Sequence, residues 1–300
     1  MTTEALKAAE NRPSAPSSRS FVCCFALLCA IAALTGCHDR TDDAAPRTSA
    51  QPSASTTVPV ASKEIRRIDF ANLLWYDAMT ASTVQLVNGF AQVTNSDLGK
   101  LTWQVSGPPS YSDVDGDGHE DAAVSLKANR AQLVANAWYI WLWRGGRAQQ
   151  LRLPIAQTSR CNRPIESVKA VPRGFKVQMF MSVEEDDCAG GGSVPITYVA
   201  GVQHGWPVRI EPRYGPIETC DPRALTVALH PSRKILLFTA ADARSPVVEP
   251  ARRYEKFLVT EYDNNPELFP EQEWILGIAV SGARRVCGWV SVDQIRASTP

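Results

Sequence analysis

Trp138-Tyr139-Ile140-Trp141-Leu142-Trp143 is the stretch from which the fold is read. Side chains alternate across a strand, so Tyr139, Trp141 and Trp143 share one face and Trp138, Ile140 and Leu142 the other. Both faces are apolar, the pattern of a strand buried on two sides. A row of three aromatics also suits stacking on a sugar, and the residues alone leave both readings open. Arg144-Gly145-Gly146-Arg147 follows as a turn, and residues 149–153 return as the second strand of a hairpin.

Working outward, residues 101–105 and Ala122-Ala123-Val124-Ser125-Leu126 are two more apolar segments. Between them lies Asp113-Val114-Asp115-Gly116-Asp117-Gly118-His119-Glu120-Asp121, with aspartates at loop positions 1, 3, 5 and 9 and glycine at position 6. Alternate carboxylates can converge on one hard cation, and Gly118 permits the sharp turn that a side chain would obstruct. Position 12 of an EF-hand would carry a bidentate Glu; here it is Val124, so the loop is not an EF-hand. The plain alternative is a polar Asp/Gly turn that needs no ion. Uncompensated carboxylates this close repel one another, which favours Ca2+. Further strands are read at residues 167–171 and 175–183 around Pro172-Arg173-Gly174, at 194–202 and at 208–211. Asn88-Gly89 between apolar residues marks a hairpin. Glu184-Glu185-Asp186-Asp187 reads as a solvated hairpin end rather than a second ion site. Few stretches carry a helical period, so the expected class is mainly β, either all-β or a strand-dominated α+β arrangement.

The Asp loop resembles the calcium loops of FG-GAP and VCBS-type extracellular repeats, in which such a loop leads directly into a strand. The resemblance implies ligands at Asp113, Asp115, Asp117 and Asp121 and at the backbone carbonyl of His119. The motif occurs once, so no propeller is implied. Near the N-terminus, residues 21–34 are nearly all apolar, too short to span a bilayer, and are preceded by a flank carrying Lys7, Arg12 and Arg19. Leu34-Thr35-Gly36-Cys37 at the end of that run resembles the bacterial lipoprotein box. It implies cleavage before Cys37, acylation there (palmitate among the chains), and stable anchoring to a membrane. His38 after the cysteine, in place of the usual retention Asp, implies the outer membrane facing the periplasm if the envelope is Gram-negative.

These boundaries divide the chain into a signal peptide (1–36), an Ala/Ser/Thr/Pro-rich disordered tether (37–64), a β domain (65–213) and a second domain (217–297). Basic and acidic side chains balance at 31 each, giving a net charge of +0, and no basic field exists to neutralise phosphates. Nucleic acid is therefore excluded as a partner. Of the exported cysteines, Cys161, Cys188, Cys220 and Cys287 allow three pairings. An oxidising compartment favours bridges, and Cys161 with Cys188 and Cys220 with Cys287 would each close within one domain.

The C-terminal segment Trp274-Ile275-Leu276-Gly277, a turn near Gly282, and Gly288-Trp289-Val290 resemble the second half of bacterial SH3 domains. Gly288 would let the chain pass close to a neighbour while Trp289 fills a small SH3-like barrel. The resemblance implies binding of peptidoglycan or a peptide segment near Tyr262, Trp274 and Trp289. No catalytic Cys-His pair or paired carboxylates accompany it. The expectation is a non-enzymatic, lipid-anchored envelope protein that binds the cell wall or a protein partner. A metal-dependent hydrolase of envelope polymers and an inhibitor of wall-degrading enzymes are the alternatives.

Overall fold

The computed structural model describes residues 60–296 except 96–98, 131–132, 159–163, 184–185, 189 and 262–271. The signal segment, Cys37, Cys161 and Tyr262 thus lie outside the described residues, as does most of the tether. Thr57–Pro300 forms one compact unit. The fold is mainly β, built from antiparallel sheets with, among the described residues, one short α-helix, α1 (Val292–Arg296). Among the described residues no helix is long and apolar enough to cross a membrane.

The first sheet pairs β1 (Leu74–Asp77) with β2 (Ser82–Gln85). The central sheet runs β3 (Phe90–Asn95), β4 (Gly99–Ser112), β5 (Asp121–Arg130), β6 (Leu133–Arg144) and β7 (Arg147–Gln150), with β8 (Ala156–Thr158) pairing the other end of β6. A third sheet is the meander of β9 (Ser167–Val171), β10 (Gly174–Met181), β11 (Val194–Gln203) and β12 (Trp206–Glu211).

The alternation read in the 138–143 stretch is realised as burial on both faces of β6. Tyr139 and Trp141 enter a core with Phe70, Trp75, Leu86 and Trp103, closed by the first sheet and two 3-10 turns. Trp75 packs edge-on against Trp141, with ring centroids 4.9 Å apart, and Phe70 does so from another side at 5.5 Å. On the opposite face, Ile140 and Leu142 join Val114, Ile155, Phe175, Val177 and Tyr198, closed by the third sheet. Tyr139 and Trp141 are core and Trp143 is half-buried against it, so the row offers no platform of three exposed rings. Asp77, 2% exposed, is tolerated under the first layer because it accepts hydrogen bonds from Trp103 Nε1 at 2.9 Å and Thr80 Oγ1 at 2.8 Å.

One sequence signal is only half realised. Asn88 and Gly89 adopt φ of 52° and 80°, and Val87 and Phe90 exchange backbone hydrogen bonds of 3.0 and 3.2 Å, so the tight turn forms. The hairpin does not extend, because β2 pairs with β1 while β3 pairs with β4. Burying Leu86, whose N–H bonds to Leu73 O at 3.0 Å, draws the incoming strand into the other sheet.

The fourth sheet has the order β13 (Val227–Leu229), β16 (Lys256–Val259), β17 (Trp274–Ser281), β18 (Arg284–Ser291), β14 (Ile235–Phe238), β15 (Val247–Arg252). Its core holds Leu237, Phe257, Ile275, Ala279 and Val290. Gly288 abuts Leu237, whose Cβ lies 2.9 Å from where a glycine Cβ would stand, as the close-approach reading requires. Trp289 does not fill that core; it is half-buried on the opposite face of β18 from Val290. Cys220 and Cys287 are bridged, with Cα atoms 5.7 Å apart, tying the chain entering the sheet to β18. Cys188 is also disulfide-bonded, while its expected partner Cys161 lies outside the described residues.

Because Trp141 packs edge-on against both Phe70 and Trp75 and is 3% exposed, Trp141→Ala is expected to lose about 3–5 kcal/mol of stability. Denaturant titration followed by circular dichroism checks this; a loss near zero would mean that the ring is not core.

Candidate metal centre

β4 and β5 are the two arms of a long hairpin, and the Asp loop is its tip, with Ser112 opposite Asp121. Val114, 3% exposed, plugs the second core and turns the aspartates on either side of it outward. Gly116 and Gly118 take φ of 76° and 86°, a region that L side chains rarely adopt, so both glycines are required by the turn.

The loop is organised by its own backbone. Asp113 accepts from Gly116 N–H at 2.8 Å and from Gly118 N–H at 3.1 Å, and Asp117 accepts from His119 N–H at 2.9 Å. Asp121 is fully buried; its oxygens accept from Val114 N–H at 3.0 Å and Trp143 N–H at 2.9 Å. The ninth residue of the motif therefore ties the loop back to itself and to β6.

Carboxylate oxygens of Asp113, Asp115 and Asp117 all lie within 4.8 Å of one another. Two oxygens bound to one Ca2+ stand at most about 5 Å apart, so the three fit a shared calcium. Asp115 Oδ2 accepts from Arg144 Nη2 at 2.7 Å, but its Oδ1 is buried and has no hydrogen-bond partner among the described residues. An unsatisfied buried carboxylate oxygen costs stability, and a cation at the loop centre would relieve it. Asp121 stands outside this triad, and the twelfth position, Val124, is fully buried in the first core.

Several contributors were not legible in the sequence. Arg144 has only a turn residue's setting in the sequence, and it reaches Asp115 because β5–β6 pairing brings the end of β6 beside the loop. Arg173, from the β9–β10 turn, lies against Gly116: its Nη2 is 3.3 Å from where a Cβ would stand. Ser62, placed by sequence at the end of the tether, pairs with the loop instead. Its N–H donates to Gly118 O at 2.9 Å, its O accepts from Glu120 N–H at 2.8 Å, and its hydroxyl contacts His119 Nδ1. Arg66 then clamps Glu120 through two hydrogen bonds of 2.5 and 2.9 Å.

Of the predicted binding residues, Trp274 and Trp289 lie apart, on the fourth sheet. Trp274 and Trp289 are half-buried, Trp274 edge-on to Phe238 at 5.4 Å and Trp289 with its Nε1–H directed at Glu218 Oε2 at 3.5 Å. No protein-family model, curated protein or solved structure matches this chain.

Burial of Asp121, reinforced by the charges of Asp115 and Asp117, raises its pKa from 3.8 to about 7 despite the two backbone N–H donors. Between those values the folded state holds a proton that the unfolded chain releases, so stability without metal should fall as pH rises from about 4 to about 7. Denaturant midpoints in chelator should be higher at pH 5 than at pH 8, and Asp121→Asn should flatten the difference. Calcium at about 100 times its dissociation constant should add about 2.7 kcal/mol. Asp115→Asn should abolish that gain; an equal calcium response in the variant would remove Asp115 from the site.

Proposed function

We propose that this chain is a lipid-anchored, non-enzymatic protein of the cell envelope. In this reading Cys37 carries the anchor, on the outer membrane facing the periplasm if the envelope is Gram-negative, and the 37–61 stretch is the tether. A calcium ion held by Asp113, Asp115 and Asp117, with the His119 carbonyl available as a further ligand, staples the β4–β5 hairpin. The fourth sheet, with its SH3-like Gly288-Trp289-Val290 segment, binds peptidoglycan or an envelope protein through Trp274 and Trp289, with Tyr262 as a further contact.

The observation that carries this reading is the closure of the Asp loop by its own backbone N–H groups and by Ser62. That is how a structural cation site is built, whereas a hydrolytic metal needs an open position facing a substrate cleft. The cleft of about 520 Å3 formed by Pro154, Met179, Ile196 and Tyr198 contains none of the loop aspartates. Support for wall or protein binding comes from Trp274 and Trp289, which keep partly accessible rings on the face of the sheet away from its core.

The test is cosedimentation of the Thr57–Pro300 unit with purified peptidoglycan, in calcium and in chelator. Retention in both buffers that falls several-fold in a folded Trp289→Ala variant is the expected result. A chain left in the supernatant under both conditions would sink the wall-binding reading and leave a protein partner as the ligand.

A further inference from the structure

We propose that the cleft between the third and fourth sheets binds a small organic oxyanion, a carboxylate or phosphate carried on an apolar body. This goes beyond the envelope reading and does not depend on the Asp loop. The cleft has a volume of about 680 Å3, within the range of small-ligand sites, and four arginines line it: Arg209, Arg213, Arg284 and Arg285.

Although Glu218, which lines the other cleft, also acts on Arg209, charge is unbalanced among the residues that line this cleft. Glu249 is the one acid among its lining residues, and it is already committed to Arg284 and to the Tyr254 hydroxyl. Arg209, Arg213 and Arg285 have no carboxylate partner among the lining residues. The Arg209 guanidinium is the decisive group, since its Nε is buried and hydrogen-bonds nothing among the described residues. A buried N–H of a charged group left unpaired is costly, and a planar guanidinium presents its donors in a fork that matches a carboxylate or phosphate. Burial pushes the Arg209 pKa down and the Arg213 charge adds to this, against the opposing effects of Tyr198 and Glu218; the charge of a bound anion would act in the same raising direction as these two.

Backbone hydrogen bonds and a disulfide tie the walls, as a binding site requires. Arg209 and Gly215 exchange two backbone hydrogen bonds, of 3.0 and 3.1 Å, which close the loop carrying Arg213 and Tyr214. Gly215 has no side chain to displace the guanidinium, whose Nη2 lies 3.4 Å from where a Cβ would stand. The facing wall is β18, from Arg284 to Cys287, held by the Cys220–Cys287 bridge. Ile278 and Val286 add apolar lining between these walls. A bare inorganic ion would leave that apolar surface wet, so the ligand chemistry that fits has both an anionic head and an apolar part.

The experiment is calorimetric titration of the full-length chain in detergent at low salt, in chelator, with benzoate, phenyl phosphate and uncharged benzyl alcohol as probes. Saturable binding of at least one anion at a single site, with no binding of benzyl alcohol, is expected. Binding of benzoate alone assigns a carboxylate ligand and of phenyl phosphate alone a phosphate ligand, and either upholds the site. Arg209→Gln should weaken binding by about ten-fold or more. Because Arg209 is partly buried, the double variant Arg213→Gln/Arg285→Gln, which changes exposed side chains only, provides the second measurement and should weaken binding to a similar degree. Failure of both anions to bind, binding of benzyl alcohol as tightly as the anions, or unchanged affinity in the folded double variant would overturn the proposal.

Discussion

The central sheet can exist only if both of its faces are covered. β5 and β6 carry apolar residues on each side, and the two cores share these strands: Val124, Tyr139 and Trp141 serve one, and Ala123, Ile140 and Leu142 the other. At roughly 25 cal/mol per Å2 of apolar surface, leaving either face wet would forfeit the burial of several aromatic and aliphatic side chains. The arrangement of the first three sheets follows from this demand. The first sheet and its 3-10 turns close one side, and the β9–β12 meander closes the other.

The Asp loop is attached to that layer by Asp121. Its buried carboxylate bonds the N–H groups of Val114 and Trp143, so one side chain joins the start of the loop to the end of β6. Ser62 adds the N-terminal segment to the same place. Three parts of the chain therefore meet at the hairpin tip, and its excess negative charge sits where a bound cation would hold all of them. Arg144 offsets part of that charge and leaves Asp115 Oδ1 unsatisfied.

Local patterns were legible where short-range chemistry decides the outcome. The strand–loop–strand reading of the 101–126 region, the turn at Pro172-Arg173 and the close approach at Gly288 follow from residue type and spacing, and all three are present. Asn88-Gly89 shows the limit of such reading: the φ > 0 turn formed as its residues dictate, yet the strands it joins chose different partners. Trp289 shows the same limit. Its Gly-Trp-Val setting predicts a strand, but which face meets the core depends on what β14 and β17 bring to it.

Sequence alone thus determined that the chain is mainly β, that the Asp-rich loop lies between two paired strands, and that Cys220 has a partner available in Cys287. These depend on side-chain period, turn chemistry and composition, which are local properties. Only the tertiary structure decided that Trp141 is core, that Arg144 and Ser62 belong to the aspartate site, and that four arginines gather around one cleft. Arg209 and Arg285 are far apart in the chain, and they line one cleft where the segment after β12 is tied to β18 by the Cys220–Cys287 bridge. Residue spacing cannot specify such a contact, because it depends on which segments the fold sets side by side.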